Sequence, residues 1–155
     1  MKFFIFKFGY LLIFYGNPIG ISTLSLSQVL IANVAMNVCA SYFLTIALTP
    51  SHVSEKSIFP LRNKKGMMPY PWSHHQVITT SDFATKSKTT TRLLGGFNHH
   101  ITYHLFPSIA HVYYPEITPI IKRTILEFGL PYTYQNSLFK AYKSHYNLLK
   151  KNGNT

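Results

Sequence analysis

Eight histidines fall in a few places along the 155 residues: His52; His74 and His75; His99, His100 and His104; His111; and His145. His100 and His104 stand four apart, which on a helix puts both imidazoles on one face, able to share one metal ion. Imidazole suits iron, zinc, copper and nickel, so the spacing does not choose the metal. No cysteine lies near the cluster and no carboxylate falls inside it. That argues against a zinc finger, the Glu-bearing zinc-protease helix and a carboxylate di-iron bundle. The metal chemistry that remains is an all-histidine site. An ordinary solvated or hydrogen-bonded histidine pair has the same spacing and stands beside it as the plain alternative.

The elements that must position these residues follow from charge and apolar patterning. Lys and Arg number 15 against 4 Asp and Glu, a net charge of +11. Residues 8–51 hold no Lys, Arg, Asp, Glu or His at all; Lys2 and Lys7 precede them and the other 13 basic residues follow. A basic nucleic-acid domain does not carry such a stretch beside its basic face, so no nucleic-acid partner is expected. A membrane hairpin does carry one, with both ends on the positive, cytoplasmic side. Residues 3–15 predict a short aromatic-rich helix, residues 16–20 a turn or breaker, and residues 23–49 a fuller span ended by Pro50. Ser, Thr, Asn and Gln recur along the second span, so it expects helical neighbours rather than lipid alone. A secretory leader over residues 1–30 fits less well, because the apolar character resumes and continues to Thr49. Cys39, the one cysteine, reads as a small hydrophobe.

Beyond the hairpin, residues 54–71 form a polar loop with four cations, and residues 72–94 are polar and Thr-rich. Their tail is expected to feed a helix carrying GGFNHHITYHLFP, closed by Pro107. Ile117, Ile120, Ile121, Ile125 and Phe128 approach a 3.6-residue period, with Gly129 as C-cap. Asn136 or Ser137 caps a last helix with Leu138, Ala141, Tyr142, His145 and Leu149 on one face. The fold class is all-α: a helical hairpin over residues 1–53 and a helical cap segment over residues 54–155.

The run GGFNHHITYHLFPSIAHVYYPEITPIIKRTILEFGLPY resembles the third histidine box, and the segment after it, of membrane fatty acid desaturases. WSHHQVITTSDFATKS is similar to that family's Trp-x-x-His-Gln-x-x-Thr-Thr stretch. TPSHVSE at 49–55 is similar to its segment in which a histidine leaves the last transmembrane helix, and the tail at 137–153 fits as well. The resemblance covers residues 40–152 continuously. It implies an integral membrane protein with a cytosolic cap, in which histidines from three boxes and one further histidine hold two irons. It also implies O2-dependent removal of two hydrogens from an acyl chain, with electrons from a cytochrome b5- or ferredoxin-type donor.

Carried over residue by residue, the resemblance implies that His52, His100 and His104 are metal ligands and that Asn98 orients a bound water. His75 matches a histidine found in part of the family and reads as supporting or structural. His74, His99, His111 and His145 read as surface or helix-packing residues. Two departures stand out. Tyr103 occupies the box's penultimate histidine position and reads as a lost ligand. The first two boxes are not in the sequence, so the resemblance implies that they lie upstream of residue 1 or on another chain, and that this chain is inactive alone. Two other function classes remain open on the sequence: a small basic membrane protein binding anionic lipid, and a histidine metal-binding protein without catalysis.

Overall fold

The computed structural model describes residues 2–154, which are mostly helical. They fall into two compact units, Met1–Leu44 and Thr45–Thr155. The first opens with α1 (Lys2–Leu11), which runs through a π-helical turn at Leu12–Gly16 into α2 (Asn17–Ile21). The chain breaks at residues 22–25 and α3 (Leu26–His52) begins. Ser25 and Gln28 cap α3 reciprocally: Ser25 N–H donates to Gln28 Oε1 at 2.8 Å, and Gln28 N–H to Ser25 Oγ at 3.4 Å. Asn33 joins the two arms, accepting from the Tyr15 hydroxyl at 2.7 Å and donating to the Tyr10 hydroxyl at 3.3 Å.

The helix boundaries correct the sequence reading. Residues 16–20 are helical, and the break comes just after them. Proline lacks an N–H, and its ring crowds the carbonyl one turn earlier. The π turn before Pro18 changes that spacing, with Asn17 N–H donating five residues back to Leu12 O. The first apolar helix thus reaches 19 residues, Phe3–Ile21, and the second 27. Both have the length and composition to cross a bilayer. Pro50 does not end α3 either: it is buried inside the last turn, and Val53 N–H still donates to Thr49 O at 3.0 Å.

The second unit takes in the end of α3 and contains α4 (Trp72–Thr79), β1 (Asp82–Phe83), α5 (Lys88–Leu93), α6 (His100–Leu105), α7 (Tyr114–Glu127), β2 (Tyr134–Gln135) and α8 (Leu138–Gly153). β1 and β2 are a minimal parallel pair, Asp82 opposite Tyr134 and Phe83 opposite Gln135. One apolar cluster gathers Ala47, Phe83, Ala84, Leu94 and Ala141; another gathers Val77, Ile101, Ile121 and Ile125. Ile121 and Ile125 are the buried stripe of α7, whereas Ile120 and Phe128 are exposed. Ser137 caps α8 by accepting from Lys140 N–H, and Gly129 ends α7 at φ +67°.

The glycine pair interrupts the helix expected to carry residues 95–107, leaving α5 before it and α6 after it. Gly95 and Gly96 have φ of +56° and +84°, conformations that L side chains rarely adopt, so α5 cannot run on into the histidine segment. The result is a short α6 whose first residue is His100.

Candidate metal centre

Three side chains from two elements converge: His52 from the last turn of α3, and His100 and His104 one turn apart on α6. One ring nitrogen from each can be chosen so that all three lie within 4.8 Å of one another. His52 Nε2 is 2.8 Å from His100 Nε2. The His52 ring centroid is 4.6 Å from that of His100 and 4.9 Å from that of His104. Nitrogen ligands about 2.1 Å from a metal sit about 3.0 Å apart on adjacent coordination positions, so the 2.8 Å between His52 and His100 matches a pair on one ion, with His104 close by.

The tautomers follow from the outer partners. His100 Nδ1–H donates to Phe97 O at 3.1 Å, and His104 Nδ1–H donates to Gln76 Oε1 at 2.8 Å. Each donation leaves an Nε2 lone pair for the shared point, as second-shell acceptors do at histidine metal sites. Burial, followed by the neighbouring His52 and His104 rings, pushes His100 down to about 3, against a pull upward from the Phe97 carbonyl. Burial and His52 push His104 down to about 4. Both imidazoles are therefore neutral near pH 7, the form that binds metal.

Asn98 is fully buried two residues before His100. Its Nδ2 donates to Thr91 Oγ1 at 3.0 Å and to Ala84 O at 3.4 Å, while its Oδ1 has no protein partner. Ala84 is a non-glycine residue at φ +47°, and its N–H donates to Gln135 O, so bonds on both sides clip this strained residue in place. Tyr103 lies beside the cluster, its ring 5.5 Å from those of His100 and His104.

The remaining histidines sit elsewhere. His99 Nδ1 contacts Thr118 Oγ1 at 2.8 Å, and its Nε2 contacts Thr91 Oγ1 at 3.3 Å. His145 Nδ1–H donates to Val53 O, His74 lies on Tyr70, and His75 contacts Gln76. His111 is exposed.

Two supporting residues escaped the sequence reading. Gln76 orients His104 from α4, 28 residues away. Asp82 accepts from Ile101 N–H at 2.8 Å and from the Tyr132 hydroxyl at 2.6 Å, tying β1 to the first turn of α6. Burial raises the Asp82 carboxyl to about 6, against the pull of the Tyr132 hydroxyl and then the Ile101 and His100 backbone. The same burial and the facing carboxylate push the Tyr132 phenol upward. A signal for Asp82 was available: it is one of four acids in the chain and stands as the one Asp, Glu, Lys or Arg between Lys65 and Lys86.

A sequence profile described as fatty acid desaturase matches residues 2–136. An acyl-lipid (8-3)-desaturase of Mortierella alpina is 32% identical over 133 residues, covering 86% of this chain and 30% of the relative. One from Physcomitrium patens is 35% identical over 122 residues, covering 79% of this chain and 25% of the relative. An sn-1 linoleoyl-lipid 6-desaturase of Synechocystis is 36% identical over 104 residues, covering 66% of this chain and 29% of the relative. The chain thus spans about a third or less of the length of these curated relatives. No solved structure matches it.

Proposed function

Because the chain belongs to the fatty acid desaturase family, we propose that it is the region of a membrane acyl-lipid desaturase that carries the third histidine box. The observation that supports this is the convergence of His52, His100 and His104 to within 4.8 Å, with two tautomers set by Phe97 and Gln76. In the family the bound group is a non-haem di-iron centre, which supplies O2-dependent removal of two hydrogens from an acyl chain. Three imidazoles fit one metal ion and are too few for two, so the further ligands come from the first two boxes, on a segment or chain beyond these residues.

Within that centre each residue has a definite task. His52, His100 and His104 present neutral nitrogens. Phe97 O and Gln76 Oε1 fix the ring orientations of the α6 pair. Asn98 Oδ1 is buried and free to accept from a bound water. Tyr103 occupies a ligand position of the family and offers a phenol oxygen where the family has an imidazole nitrogen, so it stands as a lost ligand. Residues 1–53 are the membrane hairpin and residues 54–155 the cap segment. The cap and both ends of the hairpin face the cytoplasm, in line with the 13 cations after the apolar stretch. Electrons reach the centre from a cytochrome b5- or ferredoxin-type donor, and the substrate is an acyl chain of a membrane lipid.

The chain by itself is expected to make no double bond, because its ligand set is incomplete. Expression in a desaturase-deficient host, with fatty acid profiling and iron determination on the purified protein, tests this. Co-expression with a segment bearing the first two boxes is expected to restore a desaturated product. A new double bond from this chain alone, with near two irons bound, would overturn the reading.

A further inference from the structure

A cavity of about 550 Å³ lies on another part of the second unit, between α5 and the start of α7. Its wall includes Lys88, Arg92, Thr85, Thr91 and His111. Its size falls within the range of small-molecule sites. Lys88 and Arg92 are spaced i, i+4, so α5 presents both cations on one face.

No carboxylate lines this wall, and the chain has only four to offer. Asp82 is buried against Tyr132 and Ile101; Glu127 pairs with Arg123; Glu55 accepts from Asn147; Glu116 lies outside the lining. Lys88 and Arg92 therefore stand at a cavity with no internal counter-charge on its wall.

The wall is also built to stay where it is. Gly96 approaches His111 so closely that a Cβ there would meet His111 O at 2.9 Å, so no side chain fits between them. The His111 ring stacks on Phe97 at 6.5 Å. Thr91 is held by the Asn98 amide. Val112 and Pro115 add an apolar side.

We propose that this cavity is a binding site for a phosphate-bearing ligand with an apolar body. A guanidinium, an ammonium, the Thr85 hydroxyl and a ring N–H offer more donors than a single carboxylate can satisfy, and they match the several oxygens of a phosphoryl group. The apolar wall accommodates the carbon part of the ligand. The site uses none of the proposed metal ligands, so it stands or falls separately from the metal centre.

The test uses the full chain, metal-free, in neutral detergent. Titration with sn-glycerol 3-phosphate, read by calorimetry and by the His111 ring NMR signals, is expected to saturate at one per chain. Lys88→Gln with Arg92→Gln is expected to weaken binding at least about 10-fold, as loss of two charge-assisted contacts should. Lys140→Gln with Lys143→Gln, an equal charge change on α8, is expected to alter it less than about twofold. A parallel arm uses nanodiscs of phosphatidylcholine with and without phosphatidic acid. A variant-sensitive response to glycerol phosphate identifies a soluble phosphate compound, and one seen only with phosphatidic acid identifies a lipid headgroup. Equal losses in both double variants, acetate binding as tightly as phosphate, or no saturation in either arm would overturn the site.

Discussion

The two units invert one another. In Met1–Leu44 the apolar side chains face outward: Val29 is the one buried residue among those described, while Phe6 and Ile21 are 79% and 82% exposed. In Thr45–Thr155 the interior is unusually polar, with Ser51, Thr80, Asp82, Asn98, His99, His100 and Thr102 each no more than 1% exposed. An outward apolar surface is stable only against something apolar, and a polar interior only when its groups are paired, as they are here among the described side chains except at Ser51 Oγ and Asn98 Oδ1. The contrast teaches that one unit is organised by its surroundings and the other by its own hydrogen bonds.

The largest expected effect lies in the polar interior. His100→Ala removes the ring that faces both His52 and His104, and cobalt(II) affinity should fall by more than the roughly 10–100-fold carried by a supporting partner. Gln76→Leu should fall within that smaller range. Titration of the full chain, followed by visible absorption, measures both; unchanged affinity in His100→Ala would reduce the cluster to packing.

Asp82→Ala orphans the Ile101 N–H and the Tyr132 hydroxyl and should destabilise the second unit by about 3 kcal/mol. Asp82→Asn keeps the shape and should cost less. Denaturant unfolding monitored by tyrosine fluorescence separates the two, and equal losses would show that volume rather than pairing matters at this position.

The contrast between the units is sharpened by one substitution made at matched exposure. Val38→Lys, at a position 62% exposed in α3, should oppose membrane insertion by about 3 kcal/mol. Ile120→Lys, at 57% exposed in α7, should change stability by less than about 0.5 kcal/mol. Alkaline extraction of membranes reads the first and the unfolding midpoint reads the second. Similar tolerance at both sites would break the contrast.

The last test is a pH slope in the metal-free chain. His99, His100 and His104 are depressed from 6.5 to about 4, 3 and 4. Their contribution is complete above about pH 6.5 and is lost as pH falls toward 4. Asp82 acts oppositely: its raised value favours the folded state at low pH, and that advantage disappears as pH rises from about 4 to 6. Stability should therefore rise modestly from pH 4 to 6.5, and Asp82→Asn should steepen the rise.

What the sequence revealed depended on how local the cause was. The buried stripe of α7, the Ser137 cap and the Gly129 terminus were legible because each is set by residues within a turn or two. The His100–His104 pair was legible for the same reason, and His52 through the resemblance. Gln76 and Asp82 were not, because their partners lie 28 and 19 residues away and no period marks such a bond. The break at Gly95–Gly96 was under-read because a glycine pair does not by itself announce two left-handed residues. Exposed Ile120 and Phe128 show that an apolar period indicates a face without saying how far the neighbouring elements cover it.

The π turn in the first helix has a consequence for the aromatic residues around it. In an α-helix, residues five apart point about 140° away from each other. Tyr10 and Tyr15 nevertheless both reach Asn33, and their rings lie 6.5 Å apart. The wider turn between them swings Tyr15 back into line, so one extra residue per turn makes a two-pronged clasp out of positions that would otherwise diverge. Deleting Gly16 would restore regular winding with the tyrosines still five apart and open that clasp, whereas deleting one of residues 12–14 would leave them four apart on one face and keep it.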